Sequence, residues 1–155
     1  MTAGIRLSTA LGALAVVLAI PTAAEADSTC PSRSEPRVVV RSVTVLDGRT
    51  IRVRACTGLR AKISALGRED SIKGEQVCWA RSRWVRSGRT ATFDCRLSLA
   101  DRDRAAATGL VVYLAVWNLP YDAASNIYYP QSDDAYTVTI GPGTATTVSP
   151  DPKNR

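Results

Sequence analysis

The segment 79–89 holds the densest chemistry in the chain: Trp79, Arg81, Arg83, Trp84, Arg86 and Arg89. Guanidinium groups bind anions through paired N–H donors, and indole rings stack on cations and flat groups. Interleaved on one hairpin, such residues could grip an anionic polymer, for instance a wall teichoic acid or a nucleic acid, by charge and stacking. The competing expectation is a hairpin whose tryptophans pack inward while its arginines solvate the outside. Trp79 and Trp84 differ in parity, so a regular strand exposes at least one of them.

A second group lies in the polar stretch 118–134, read as one long loop with a short extended piece at Ile127 to Tyr129. Tyr121, Tyr128 and Tyr129, with Trp117, would make a platform for sugar or protein, and Pro120 and Pro130 would limit its motion. The same residues could instead fold back over a sheet edge. Asn118, Asp122, Asn126, Asp133 and Asp134 add the oxygen ligands that extracellular Ca²⁺ takes. They lack a fixed ligand spacing, so a solvated polar loop is the expectation, with no metal and no cofactor.

The chain contains no histidine. That removes Ser-His and Cys-His nucleophilic catalysis and any His-ligated zinc. No G-x-S-x-G, S-x-x-K or phosphate-binding glycine loop occurs. The remaining route to catalysis is a carboxylate pair, with Glu69/Asp70, Asp101/Asp103 and Asp133/Asp134 as candidates. Adjacent acids point to opposite sides of an extended chain, and acids at 101 and 103 suit a helix dipole. The expectation is that the protein is not an enzyme.

The elements that must position these residues begin with a leader. Arg6 supplies a positive start, Leu7 to Ile20 an apolar run, Pro21 a break, and Ala24-Glu25-Ala26 a small-x-small cleavage site. This is the layout of a secretory signal peptide over residues 1–26, cut between Ala26 and Asp27. The apolar run is short for a transmembrane helix. Asp27-Ser28-Thr29 before Cys30 does not suit a lipid anchor. The mature protein is expected outside the cell, free of the membrane. Net charge is +6, and of 20 basic residues only Lys62, Lys73 and Lys153 are lysine. A strong arginine preference beside abundant alanine matches a high-GC genome, which weakens any case that each arginine was selected for binding.

Four cysteines in an exported chain imply two disulfides. Three connectivities are possible. Spacing favours Cys30–Cys56 and Cys78–Cys95 without excluding the others. Closing the second interval would stabilise the fold by about 3 kcal/mol in the chain-entropy model. Cys56 shares its strand parity with Arg52 and Arg54, so its bridge should be peripheral and hold an N-terminal arm, 27–36.

Arg37 to Leu46 reads as a strand with a break near Ser42, Asp47-Gly48 as a tight turn, and Thr50 to Thr57 as the returning strand. Leu59, Ala61, Ile63 and Ala65 alternate with polar residues, and 67–75 reads as a loop. Gln76 to Trp84 looks extended, with a turn at Ser87-Gly88. Ala91, Phe93, Cys95, Leu97 and Leu99 share one face and are expected to point inward. Ala100 to Ala107 is a short helix. Leu110 to Trp117 is apolar enough for a central strand covered on both faces, with Tyr113 and Trp117 in the core. Tyr136, Val138 and Ile140 alternate in a last strand, and 142–155 reads as a flexible tail. About seven strands with one crossover helix give an all-β, antiparallel β-sandwich over 37–141, with a small β-barrel as the alternative.

Within 99–140, Ala105-Ala106-Ala107-Thr108-Gly109, Tyr113, Trp117-Asn118, Asn126 and Tyr136-Thr137-Val138-Thr139-Ile140 follow one another in order. The stretch resembles the C-terminal half of bacterial extracellular Ig-like domains. There, an inward strand passes through a short helical corner into Gly-x-x-x-Tyr, an apolar strand, an Asp/Asn-containing loop and a Thr-Val-Thr-type strand. Cys78 and Cys95, with a polar turn between them, look like a disulfide hairpin of small secreted Ig-like proteins in high-GC Gram-positive bacteria. The resemblance, mainly over 76–141, implies an Ig-like sandwich and no assigned activity. The 118–134 stretch and the Cys30–Cys56 pair depart from that pattern.

Taken together, the sequence points to a secreted, non-catalytic binding module of the cell envelope or medium. Its expected partner is an extracellular protein or a cell-wall polymer. Nucleic acid is not expected as the partner, and the chain is expected to be a monomer. An inhibitor of extracellular hydrolases presenting 118–134 is the alternative, and a carboxylate-based enzyme the second.

Overall fold

The computed structural model describes residues 24–25, 29–33, 35, 37–122, 127–128, 131–142 and 146–151. Alternation of apolar and polar residues folds them as two antiparallel sheets facing each other. One sheet runs in the order β1 (Ala24–Glu25), β2 (Val38–Leu46), β3 (Thr50–Thr57), β6 (Thr90–Arg96). The other runs β10 (Thr146–Pro150), β9 (Gln131–Ile140), β7 (Leu110–Asp122), β4 (Ala61–Glu69), β5 (Gln76–Arg81), with β8 (Ile127–Tyr128) paired to β7. The helix α1 (Leu99–Thr108) carries the chain from β6 to β7, crossing from one sheet to the other. The protein is an all-β sandwich.

Local chemistry sets these elements. Asp47 and Gly48 take φ of 51° and 61°, the left-handed pair that a two-residue hairpin needs. The expected break in β2 is a register shift between Val40 and Ser42 that leaves Arg41 as the extra residue. Val40 and Val43 are therefore both buried despite opposite parity. The Val40 N–H beside the bulge donates to the Asp134 carboxylate (3.1 Å) on the opposite sheet. Ser98 caps α1 by accepting from the Asp101 N–H (3.1 Å), and the Gly109 N–H closes the far end on the Ala105 carbonyl (3.1 Å).

The core lies between the sheets, with Ile51, Val53 and Phe93 on one side and Ile63, Leu114 and Val138 on the other. Both disulfides form as the spacing favours. Cys78–Cys95 ties β5 to β6 from inside the core (Cα–Cα 5.4 Å). Cys30–Cys56 (Cα–Cα 5.7 Å) holds the arm to the outer side of β3. Cys56 is fully buried yet stands outside the core cluster, because the arm covers it. Gly58 allows this cover, since a Cβ there would collide with the Ser32 and Glu35 carbonyls.

Several expectations are corrected. The stretch 118–134 is mostly not a loop: β7 continues to Asp122 and β9 begins at Gln131, so the two pair along their length from Leu110↔Ile140 to Asn118↔Gln131. The expected flexible tail, 142–155, contains β10, which pairs with β9 from Thr146↔Ile140 to Pro150↔Tyr136. Residues 67–69 belong to β4, not to a loop. Leu99 is 70% exposed as the first helical residue, not inward. β7 is not covered on both faces. Leu110, Val112, Leu114 and Val116 are buried, whereas Val111, Tyr113, Ala115 and Trp117 are half-buried on the outer face, which moves Tyr113 and Trp117 out of the core. Ala24–Glu25, just before the expected cleavage point, pair with Ser42 and Val43 at the edge of the first sheet.

Candidate functional site

The segment after β5 is built by one irregularity. Ser64 pairs with Arg81, while three residues earlier on β4 Ala61 bridges Val85, four residues later on the partner. One residue is therefore extra between Arg81 and Val85. It reverses the parity of the residues after it, so Trp84 and Trp79 both face solvent, 39% and 50% exposed. The inward packing of the tryptophans considered for this hairpin does not occur.

The segment is fastened along its length. The buried Ser82 donates its N–H to the Ile63 carbonyl (2.7 Å) and accepts the Ile63 N–H on its hydroxyl (2.9 Å). Val85 exchanges two backbone bonds with Ala61 (2.9 and 3.2 Å). The Gly88 N–H donates to the Thr57 carbonyl (2.9 Å), and the Ser87 hydroxyl to the Gly58 carbonyl (2.5 Å). Gly88 takes φ of 71°, which suits glycine in the turn. A backbone held at so many points loses little freedom when a ligand binds.

Arg81, Arg83, Arg86 and Arg89 are all exposed and line one open cleft of about 520 Å³ with Trp84 and residues 90–93 of β6. No carboxylate among the described residues lines it. Among the described residues none of these four guanidinium groups is in an ion pair, in contrast to Arg37, Arg52, Arg102 and Arg104. The cleft lies where the β5 edge of one sheet meets the β6 edge of the other. Cation–π contacts extend it. Arg81 lies 4.9 Å from the centre of the Trp79 ring, and Arg60 and Lys62 lie 5.2 and 5.3 Å from that of Trp84. Arg60 and Lys62 were not singled out in the sequence. Their outward parity was visible, but their position beside Trp84 depends on the extra residue across the strand pair.

The other candidates separate. Tyr121 and Tyr128 are backbone partners in the β7–β8 pairing, which extends the sheet where a loop platform was expected. Tyr129 and Asn126 lie outside the described residues. Asp122 and Asp133 lie in β7 and β9. Asn118, fully buried, donates its amide to the Thr57 hydroxyl (2.9 Å), and Asp134 is engaged by the Val40 N–H. Asn118 and Asp134 are thus engaged within the fold, and no group of three or more His, Cys, Asp or Glu side chains that could hold a metal ion occurs among the described residues. The paired acids are engaged similarly. Glu69 and Asp101 both accept from Arg104 (2.6 and 2.8 Å), and Asp103 accepts from Arg102 (2.8 Å).

Compared with family models, curated proteins and solved structures, the chain matches none. Among the described residues no helix is long and apolar enough to cross a membrane.

Proposed function

We propose that this is an exported, non-catalytic binding module that grips an anionic extracellular polymer in the arginine cleft. One observation carries the reading: four exposed arginines share a cleft with Trp84, and no carboxylate among the described residues lines it. Guanidinium groups without acidic partners keep their N–H forks for a ligand, and a cleft of one sign concentrates the opposite charge. Export rests on the leader sequence and is supported by the two disulfides. The Ig-like relationship belongs to the same proposal and rests on the order of motifs in 99–140. The inhibitor reading has no observation in its favour, because the stretch it needs as a presented loop is mostly strand.

The test is binding of the purified protein to a long-chain polyphosphate at several salt concentrations. Four phosphate contacts should give a slope of log K against log salt of about −3. R83E/R86E should abolish binding while the near-UV dichroism stays unchanged. Binding that ignores salt, or that survives in R83E/R86E, would sink the proposal.

A further inference from the structure

The arginine cleft occupies only one end of β6. A second open cavity of about 400 Å³ lies at the other end, lined by Arg49, Arg52, Asp94, Arg96, Arg102 and three leucines. Its floor is a two-bonded ion pair: Arg52 donates to both oxygens of Asp94 (2.8 and 3.0 Å). Arg52, with a smaller contribution from Arg96, holds the Asp94 carboxyl below its usual range, so the charge of Asp94 is already answered within the sheet. Arg49 and Arg96 are exposed, and among the described residues neither joins a hydrogen-bonded ion pair. Asp47, in the β2–β3 turn, is the one carboxylate of the two linings not held by an arginine.

The cavities are joined on the outer face of the sheet. Arg54 and Thr92 sit opposite each other between them, both exposed. Arg54, Arg52 and the Thr50↔Arg96 pair then follow at two-residue intervals. Such intervals set outward side chains about 7 Å apart, and the seven residues of β6 span about 20 Å. Arg89 before the start of β6, Arg54 opposite Thr92 and Arg96 at its end therefore place cations along β6, while the charge of Arg52 is taken up by Asp94.

We propose that one linear phosphate polymer lies along the β6 edge and is held in both cavities at once. This rests on the reading of the arginine cleft as an anion site and adds the ligand's shape and class. The spread of these cations along one strand, from one cavity to the other, favours an extended anion over a compact one. The linings favour phosphate, because guanidinium forks and threonine hydroxyls donate to its oxygens. A sugar polymer also presents hydroxyl donors, and beyond hydroxyls and backbone these linings offer them only Asp47 and the occupied Asp94 as acceptors.

The experiment compares long-chain polyphosphate, tripolyphosphate and polygalacturonate on the same protein. Long-chain polyphosphate should bind about 100-fold tighter than tripolyphosphate, per phosphate, because the second cavity engages within the same molecule. R49Q/R96Q should remove most of that gain, flatten the salt slope, and leave tripolyphosphate binding in place. Both residues are exposed, and thermal unfolding of the variant checks that the fold is retained. Equal affinity per phosphate for the long and short chains, with R83E/R86E still abolishing both, would overturn the two-cavity path and keep the cleft. Polygalacturonate binding as tightly as polyphosphate would overturn the phosphate class. Binding of none of the three would remove the cleft reading as well.

Discussion

The Lys62 ammonium lies 5.3 Å from the centre of the Trp84 ring, and Arg60 lies 5.2 Å from it. An indole held this way is a surface fixture, not a core residue. Its ring is steadied by Lys62 of β4 and by Arg60 just before that strand, and part of it faces solvent.

Trp84 should therefore matter less for stability than a core residue. Trp84→Ala removes cation–π contacts worth about 0.5–1 kcal/mol at an exposed site, together with the covered part of a ring that is 39% exposed. Leu114→Ala is the control, since Leu114 is fully buried in the core and truncation there costs about 2–5 kcal/mol. Urea unfolding of the two variants measures the difference. A loss at Trp84 as large as that at Leu114 would show that the ring packs into the fold.

The same residue shows what was legible in the sequence. Features set by neighbouring residues could be read: the Asp47-Gly48 turn, strand 50–57, the break near Ser42, and the opposed faces of Cys56 and Cys95. Features set by pairing with distant strands could not. The exposure of both Trp79 and Trp84 depends on one extra residue opposite β4. The polar end of β7 is strand because Asn118, Leu119 and Pro120 pair with Ile63, Lys62 and Ala61 of the distant β4, although its composition is that of a loop. β10 is short and threonine-rich, because an edge strand needs only one neighbour and one shielded face. Of the site, the arginines and tryptophans were visible as a composition. The cleft they form, and the partners Arg60 and Lys62, required the register.

Gly67 tests the packing around the core disulfide. It pairs with Cys78, and a Cβ on it would stand 2.7 Å from the Cys78 sulfur and 2.9 Å from Val112 Cγ1. Neither neighbour can swing away, since one is bridged to Cys95 and the other is fully buried. Gly67→Ala should cost about 1–3 kcal/mol by overpacking, read as a lower denaturation midpoint at unchanged slope. A neutral or stabilising result would mean that the Cys78 sulfur and Val112 leave room for a methyl group on β4.

Tyr136 sets the alkaline limit of the fold. Burial between the sheets, with a smaller contribution from the Asp134 charge, pushes its phenol up to about 12, against an ordinary value near 10. Asp134 is fixed there by the Val40 N–H, so the phenolate would form in a closed space beside a carboxylate. An acid whose pKa is raised in the folded state stabilises fully below its unfolded pKa, and that stabilisation fades as pH climbs through the folded value. Above pH 10 the unfolded chain has lost the proton that the native chain still holds. Stability should thus be insensitive to this group up to about pH 9 and decline between about pH 10 and 12, by about 3 kcal/mol in all. Tyr136→Phe keeps the ring and removes the titration, so its stability should be flatter over the same range. Urea midpoints at stepped pH for the two proteins measure this. Parallel declines in both would assign the alkaline loss to other groups and refute the role of Tyr136.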